Sequence, residues 1–530
     1  MLYAQQATGG MVVASHHLAA QAGLEVLRDG GNAVEAMVTA AAAIGVVYPH
    51  MNGLGGDGFW LIHEPGRAAP LAISAIGAAG ASVEPELYHR RGLDAIPARG
   101  PLAANTVAAT VAGWQAALDH AQGWGSGLPL ARLLEPAIHY ARDGFPVSQA
   151  QHHSVAGSRA ELADVHGWAK TFLSDGEVPE TGSIFKQPAL AESLARLAEA
   201  GLDDFYRGQL ARTIAADLAR AECPVSAADL AGQQAEAGTP LSLSLSCGTA
   251  FNVPPPAQGV VSLILLGLFD RLGVAEADGF DHVHGAVEAA KRAFLVRDAH
   301  ITDPGYMTVA AEDLLGAETL DRLAAEIDRT RALPWPAPAL PGDTVWLAAA
   351  DAAGRVVSFI HSIYWHFGSA VVLRDTGIQW QNRGSSFSLD PNALQYLRPS
   401  RLPFHTNNPA MTYLNDGRVM AYGTMGGDGQ PQTQAAIFTR YALYGQGLQR
   451  AVTAPRWLLG RTWGDVRNNL RIEGRFPPDL IAALRQAGHQ IEVVADFDAV
   501  MGHAGALVSH SSGVLEGAGD PRSDGAVACF

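Results

Sequence analysis

The stretch that decides the fold runs from residue 331 to 365: RALPWPAPALPGD (331–343), followed at once by TVWLAAADAAGRVVSFIHSIYW (344–365). The first half is a run of prolines ended by a glycine. Each proline removes a backbone donor and fixes φ, so the run can neither continue a helix nor sit inside a sheet, and an exposed, extended linker is predicted. The second half alternates as two strands around a turn at Asp351-Ala352-Ala353-Gly354. A hairpin is therefore predicted to begin at Thr344, directly behind the linker.

Outward from this boundary the two sides differ. Before it, LAAQAGLEVLRDGGNAVEAMVTAAAAIG carries apolar residues at helical spacing, broken at Gly30-Gly31 where a C-cap belongs, and predicts two antiparallel helices. The stretches LARLLEPAIHYARDG, ALAESLARLAEAG and QLARTIAADLARA each show an apolar stripe. TAFNVPPPAQG (249–259) interrupts the pattern, and one more helical stretch is read from Val261 to about Ala299. After the boundary the chain is strand-rich with glycine turns, plus one helix near Pro478 to Gly488.

Composition excludes several functions. A net charge of −16, with only 17% charged residues, leaves no clustered basic surface for a phosphate backbone, so no nucleic-acid partner is expected. The most apolar window, Met37 to Tyr48, is too short for the ~20 residues a membrane helix needs and reads as a buried helix. The N-terminal MLYAQQATGG lacks the features of a secretory signal, which makes the cytoplasm the expected location and a membrane partner unexpected. Cys223, Cys247 and Cys529 are too few and too scattered for a disulfide framework or a zinc site. Neither metal nor cofactor is called for.

Motifs collinear over nearly the whole chain then carry a resemblance. In order they are GGMVVASHHLAAQAGLEVLRDGGNAVEA, the glycine-rich GVVYPHMNGLGGDGFW, ATVAGW, LLEPAIHYARDGFPVS, DDFYRGQLA, VPPPAQG and VEAAKRAFLVRDAHITDP. After Thr344 come FGSAVV, DTGIQWQN, TMGGDGQPQTQ, TAPRW and GAGDPRSDGAV. Together they resemble the γ-glutamyltranspeptidase family.

The resemblance implies an α+β fold, the four-layer αββα sandwich of the N-terminal-nucleophile hydrolases, with two stacked antiparallel sheets. It implies a precursor that cuts itself between Asp343 and Thr344. Residues 1–343 would form a mostly helical large segment and 344–530 a strand-rich small one, the two fragments staying together as one globule, with a homo-oligomer left open. Thr344 would then offer both a hydroxyl nucleophile and a free α-amine. A threonine hydroxyl is weak without an adjacent base, and an α-amine titrates near 8, so part of it is neutral at physiological pH. Before cleavage that nitrogen is an amide and cannot serve. The resemblance further implies Gly426 and Gly427 as the oxyanion pair, and Ser362 in place of a family threonine that hydrogen-bonds the nucleophile.

The sequence departs from the family where the γ-glutamyl head is recognised. Ser74 stands at the position of the arginine for the α-carboxylate, and Ser386 at that of the aspartate for the α-amine. Thr406 keeps one hydroxyl of a serine pair, and Val345 replaces the second threonine after the cleavage point. The same segments have gained Arg383 and His405, and an arginine fork matches a carboxylate. Arg383 thus reads either as a shifted anion site or as a surface arginine paired to an acid. Trp346, Tyr364 and Trp365 either narrow the pocket or pack in the core.

The expected substrate is a small amide that is itself acidic, such as oxamate, with Asn382, Arg383, Ser386, His405, Thr406 and Tyr364 as candidate contacts. Two alternatives stand beside this. One is a glutathione hydrolase or γ-glutamyltransferase that finds its charge partners elsewhere; the other is an unprocessed, non-catalytic scaffold.

Overall fold

The hairpin predicted from residue 344 is the spine of the molecule. In a computed structural model of the chain, described for residues 3–125, 127–335, 343–460 and 469–530, the strands Asp343–Asp351 and Val356–Tyr364 pair antiparallel around the turn at Asp351-Gly354. They occupy the middle of a seven-stranded sheet ordered Ala526–Cys529, Gly10–Ala14, Asp343–Asp351, Val356–Tyr364, Asp57–His63, Leu71–Ala75 and Glu236–Gly238. Alternate side chains of the first hairpin strand face opposite ways, as strand geometry requires. Val345, Leu347 and Ala349 join the core beneath the helices, whereas Trp346, Ala348 and Ala350 join a second core between the sheets. Burial on both faces explains why this strand is apolar throughout.

The opposing sheet also has seven strands, ordered Gln5–Ala7, Leu515–Gly519, Gly505–Ser509, Val419–Gly423, Ala410–Leu414, Gly248–Asn252 and Leu241–Leu245. Met11, Phe59, Trp346 and Ile360 from one sheet meet Phe251, Met411, Ala421 and Leu507 from the other. Helices cover both outer faces. Helices His17–Arg28 and Ala33–Val47 back the first sheet, while Gly259–Leu272, Phe280–His300 and Gly429–Phe438 back the second. The result is the four-layer αββα sandwich, and both sheets mix strands from before and after residue 343.

The fully buried helix Ala33–Val47 is started by a capping box between Asn32 and Glu35. The helical stretch expected from Val261 to Ala299 is two helices: Gly273, at φ 58, caps the first, and the second begins only at Phe280. Trp346 is core, its Nε1 donating to Ser358 Oγ at 3.0 Å. Of the proline-rich linker, residues 336–342 and the Asp343 side chain lie outside the described residues. Among the described residues no helix is long and apolar enough to cross a membrane.

Candidate active site

A fault in strand pairing sets the position of Thr344. Asp343 pairs with Tyr364 and Val345 with His361, so Ser362 and Ile363 together stand opposite one residue, Thr344. A bulge of this kind bends the strand and re-aims a side chain. Thr344 is fully buried; its hydroxyl donates to Asn407 Oδ1 at 2.9 Å and accepts from Gln430 Nε2 at 3.2 Å. Both lone pair and proton are thus directed.

Ser362 acts one step along the same bulge. Its Oγ accepts the Tyr364 N–H at 2.8 Å, where Tyr364 turns at φ 82, a region that side chains with a Cβ rarely adopt. The turn lays the Tyr364 ring 3.8 Å from the Arg383 guanidinium carbon. Trp365 lies under a different cation, Arg99, at 5.4 Å.

Four consecutive side chains, His405 to Asn408, knit the site together. His405 Nε2 donates to Asp57 Oδ2 at 3.1 Å, its Nδ1 being the acceptor of the Asn407 N–H. Thr406 Oγ accepts from Arg383 Nη1 at 3.4 Å. Asn407 holds Thr344, and Asn408 Oδ1 accepts from Gln434 Nε2 at 2.7 Å. Adjacent residues on one loop therefore carry the contacts to Thr344 and to Arg383.

Arg383 is wholly buried, so the surface-pairing alternative does not hold. Its Nε and Nη2 have no hydrogen-bond partner, which leaves a buried cation with open donors. Burial lowers its pKa to about 10, and it stays charged at neutral pH. The acid whose charge acts on it is Asp57, whose pKa burial raises to about 7 in spite of the opposing pull of Arg383 and hydrogen bonds from Gln381 and the Gly77 amide. His405 is held neutral, its pKa pushed far down by burial and then by Arg383.

Gly426 and Gly427, at φ 109 and 50, adopt turns that favour glycine, just ahead of the buried helix Gly429–Phe438. The Gly427 carbonyl accepts from Gln258 Nε2 at 2.9 Å and from the Gln430 N–H at 3.2 Å. The two glycine N–H groups meet no acceptor among the described residues. The next residue, Asp428, forms a buried ion pair with Arg297, which also donates to Gln258 Oε1 at 3.4 Å. A hydroxyl, two free amides at a helix start and an open guanidinium can together attack, stabilise and orient an anionic carbonyl compound.

Two residues expected at the substrate have backbone partners. Asn382 donates to Ala98 O at 2.8 Å and accepts from the Trp365 N–H at 3.1 Å. Ser386 Oγ donates to Phe404 O at 3.4 Å. Conversely, sequence reading passed over Asp57, Gln258, Arg297, Asn407, Asp428 and Gln430. The signal for Asp57, Asn407 and Gln430 was their place inside LGGDGF, FHTNNP and GGDGQP; Gln258 and Arg297 likewise lie inside VPPPAQG and VEAAKRAFLVRDAHITDP, but nothing local tied those segments to the turn at Gly426-Gly427.

Among the described residues one group has the makings of a metal site, His284, Glu288 and His489. The Lys291 ammonium lies 2.6 Å from Glu288 Oε1, the Leu333 N–H takes Oε2 at 3.0 Å, and the two imidazoles bond each other at 2.8 Å. This cluster grips the start of the linker, and the ammonium occupies the place a cation would need.

Two antiparallel sheets between helical layers, with a hydroxyl at the head of a central hairpin, are the architecture of the N-terminal-nucleophile hydrolases, enzymes that hydrolyse amides. Within that class the chain belongs to the γ-glutamyltranspeptidase family: the family described as gamma-glutamyltranspeptidase matches residues 19–530. The oxamate amidohydrolase proenzyme of Klebsiella pneumoniae is 56% identical over 524 residues, 99% of each chain. A glutathione hydrolase-like proenzyme of Bacillus subtilis is 42% identical over 98% of each chain. The crystal structure of a cephalosporin acylase from Bacillus halodurans superposes with a TM-score of 0.91 at 34% identity, covering 100% of this chain and 97% of that one.

Proposed function

We propose that the protein is a self-processing amidohydrolase whose nucleophile is Thr344 and whose substrate is a short amide bearing its own carboxylate, of the oxamate kind. One observation carries this reading: Thr406 and Asn407, neighbours about 3.8 Å apart along the chain, contact Arg383 and Thr344 respectively. Oxamate, whose carboxylate is bonded directly to its amide carbon, suits an arginine and a nucleophile held by adjacent residues better than a γ-glutamyl group, in which three carbons separate the two. Ser74 and Ser386, uncharged where a γ-glutamyl head needs partners, agree with this.

Processing comes first. Thr344 Oγ attacks the Asp343 carbonyl carbon, the amide nitrogen leaves as the Thr344 α-amine, and water hydrolyses the ester to free the Asp343 carboxylate. In the mature enzyme the α-amine takes the hydroxyl proton as Oγ adds to the substrate amide. The Gly426 and Gly427 N–H groups receive the developing oxyanion, ammonia leaves with a proton, and the acyl-threonine is hydrolysed by water. Arg383 holds the carboxylate throughout.

Intact-mass measurement of the parent and of Thr344→Ala tests the first part. Two fragments split at Asp343/Thr344 are expected in the parent and none in the variant; an unprocessed parent, or a variant cleaved all the same, refutes it. Steady-state assays of the mature protein test the second. Oxamate is expected to be turned over with a higher kcat/KM than glutathione or γ-glutamyl-p-nitroanilide, and the reverse order overturns the substrate assignment.

A further inference from the structure

A second cavity has no part in the chemistry at Thr344. It encloses about 470 Å³ between the helix Trp168–Phe172, the start of helix Pro188–Ala200 and the segment 372–377, within the ~300–1,000 Å³ range of small-molecule sites. Its walls meet backbone to backbone. A Cβ on Gly167 (φ 82) would lie 2.3 Å from Val372 O, and one on Gly377 (φ 67) 2.6 Å from the Leu190 nitrogen. Leu190, Val372 and Leu373 give the cavity apolar walls.

The rim is basic in an acidic protein. Lys170, Lys186 and Arg374 line it and no carboxylate does, on a chain of net charge −16. The whole sequence holds three lysines, and the third, Lys291, is buried against Glu288. Both exposed lysines therefore stand at this one opening. The first turn of helix Pro188–Ala200 also faces it, with no side chain capping the helix; its leading amides lack intrahelical acceptors and carry partial positive charge. Inward the cavity narrows to a cleft lined by Thr171, Leu190, Gly377 and Gln379. Gln379 is 7% exposed, and neither its Nε2 nor its Oε1 has a partner. This cleft, about 10 Å³, has room for a single water at the open amide, so the apolar part of a ligand ends above it, along Leu190, Val372 and Leu373.

We propose that this cavity binds an anionic amphiphile, a medium-chain carboxylate. Its head group lies between Lys170, Lys186 and the helix amides, and its chain runs along Leu190, Val372 and Leu373. Charge alone would not select such a ligand, and neither would the apolar wall alone; the pairing of the two does.

Calorimetric titration of the full protein with octanoate, octanol and acetate tests the proposal, alongside a Lys170→Ala/Lys186→Ala double variant. Both lysines are exposed, so the variant should melt with the parent. One octanoate is expected to bind per chain, and octanol, acetate and the double variant should each weaken binding at least about tenfold. Absence of octanoate binding up to millimolar concentration overturns the proposal. So does octanol or acetate binding as tightly as octanoate, or an unchanged affinity in the double variant.

Discussion

At the residue scale the site turns on a buried arginine that faces a buried aspartate. Replacing Arg383 by methionine keeps much of the volume and removes the cation. For an anionic amide the expected result is a KM raised about 10–100-fold, from the loss of about 1.5–3 kcal/mol of charge-assisted hydrogen bonding, with processing intact. An unchanged KM would place the carboxylate elsewhere. Asp57 sets the pH dependence. With its pKa raised to about 7, it is neutral below that value and anionic above, where it repels an anionic substrate and competes for Arg383. KM is therefore expected to rise above pH 7, while kcat follows the α-amine; Asp57→Asn should flatten the KM profile. A parent whose KM is level from pH 6 to 9 contradicts this.

At the scale of elements, the turn before helix Gly429–Phe438 depends on an ion pair that nothing solvates. The Arg297 and Asp428 side chains are 2% and 1% exposed. Removing Asp428 leaves Arg297 paired only to its partly exposed neighbour Asp298, and the lost charge-assisted hydrogen bond costs about 1.5–3 kcal/mol. Asp428→Asn should lower the apparent melting temperature measured at fixed scan rate, and should slow turnover because Gly426 and Gly427 lose their anchor. An unaltered melting curve would show that the pair contributes nothing. This element was half legible beforehand: GGDGQP marked the glycine turn, but the partner of Asp428 lies 131 residues away on another helix. Ser362, expected from the resemblance to hydrogen-bond Thr344, accepts the Tyr364 N–H and shapes the Tyr364 turn, a contact that no local pattern announced.

At the scale of the whole molecule, burial of histidine ties stability to pH. Burial is the largest cause lowering His16 and His366 to about 3 and His361 and His503 to about 4. Their folded values lie below the unfolded value near 6.5, so the stability they contribute is present above that pH and is lost as pH falls toward 4. Asp57 runs the other way: its raised value contributes stability that is lost as pH rises through about 7. The urea midpoint is expected to drop between pH 6.5 and 4.5, and a midpoint constant over that range would count against buried neutral histidines.

The hairpin at residue 344 was legible in the sequence because alternation and proline are local signals, and the family was legible because its motifs stand in order along the chain. The sequence also singled out Thr344, Gly426-Gly427 and Arg383 as candidates. The state of Arg383 came from folding alone. Whether an arginine is solvated and paired or buried with open donors depends on Tyr364, Thr406 and Asp57, which folding brings from three separate segments. Likewise only packing could show that Asn382 ties down backbone and that Asn407 and Gln430 hold the hydroxyl. Burial and partnership are properties of the assembled sheets, and no local pattern encodes them.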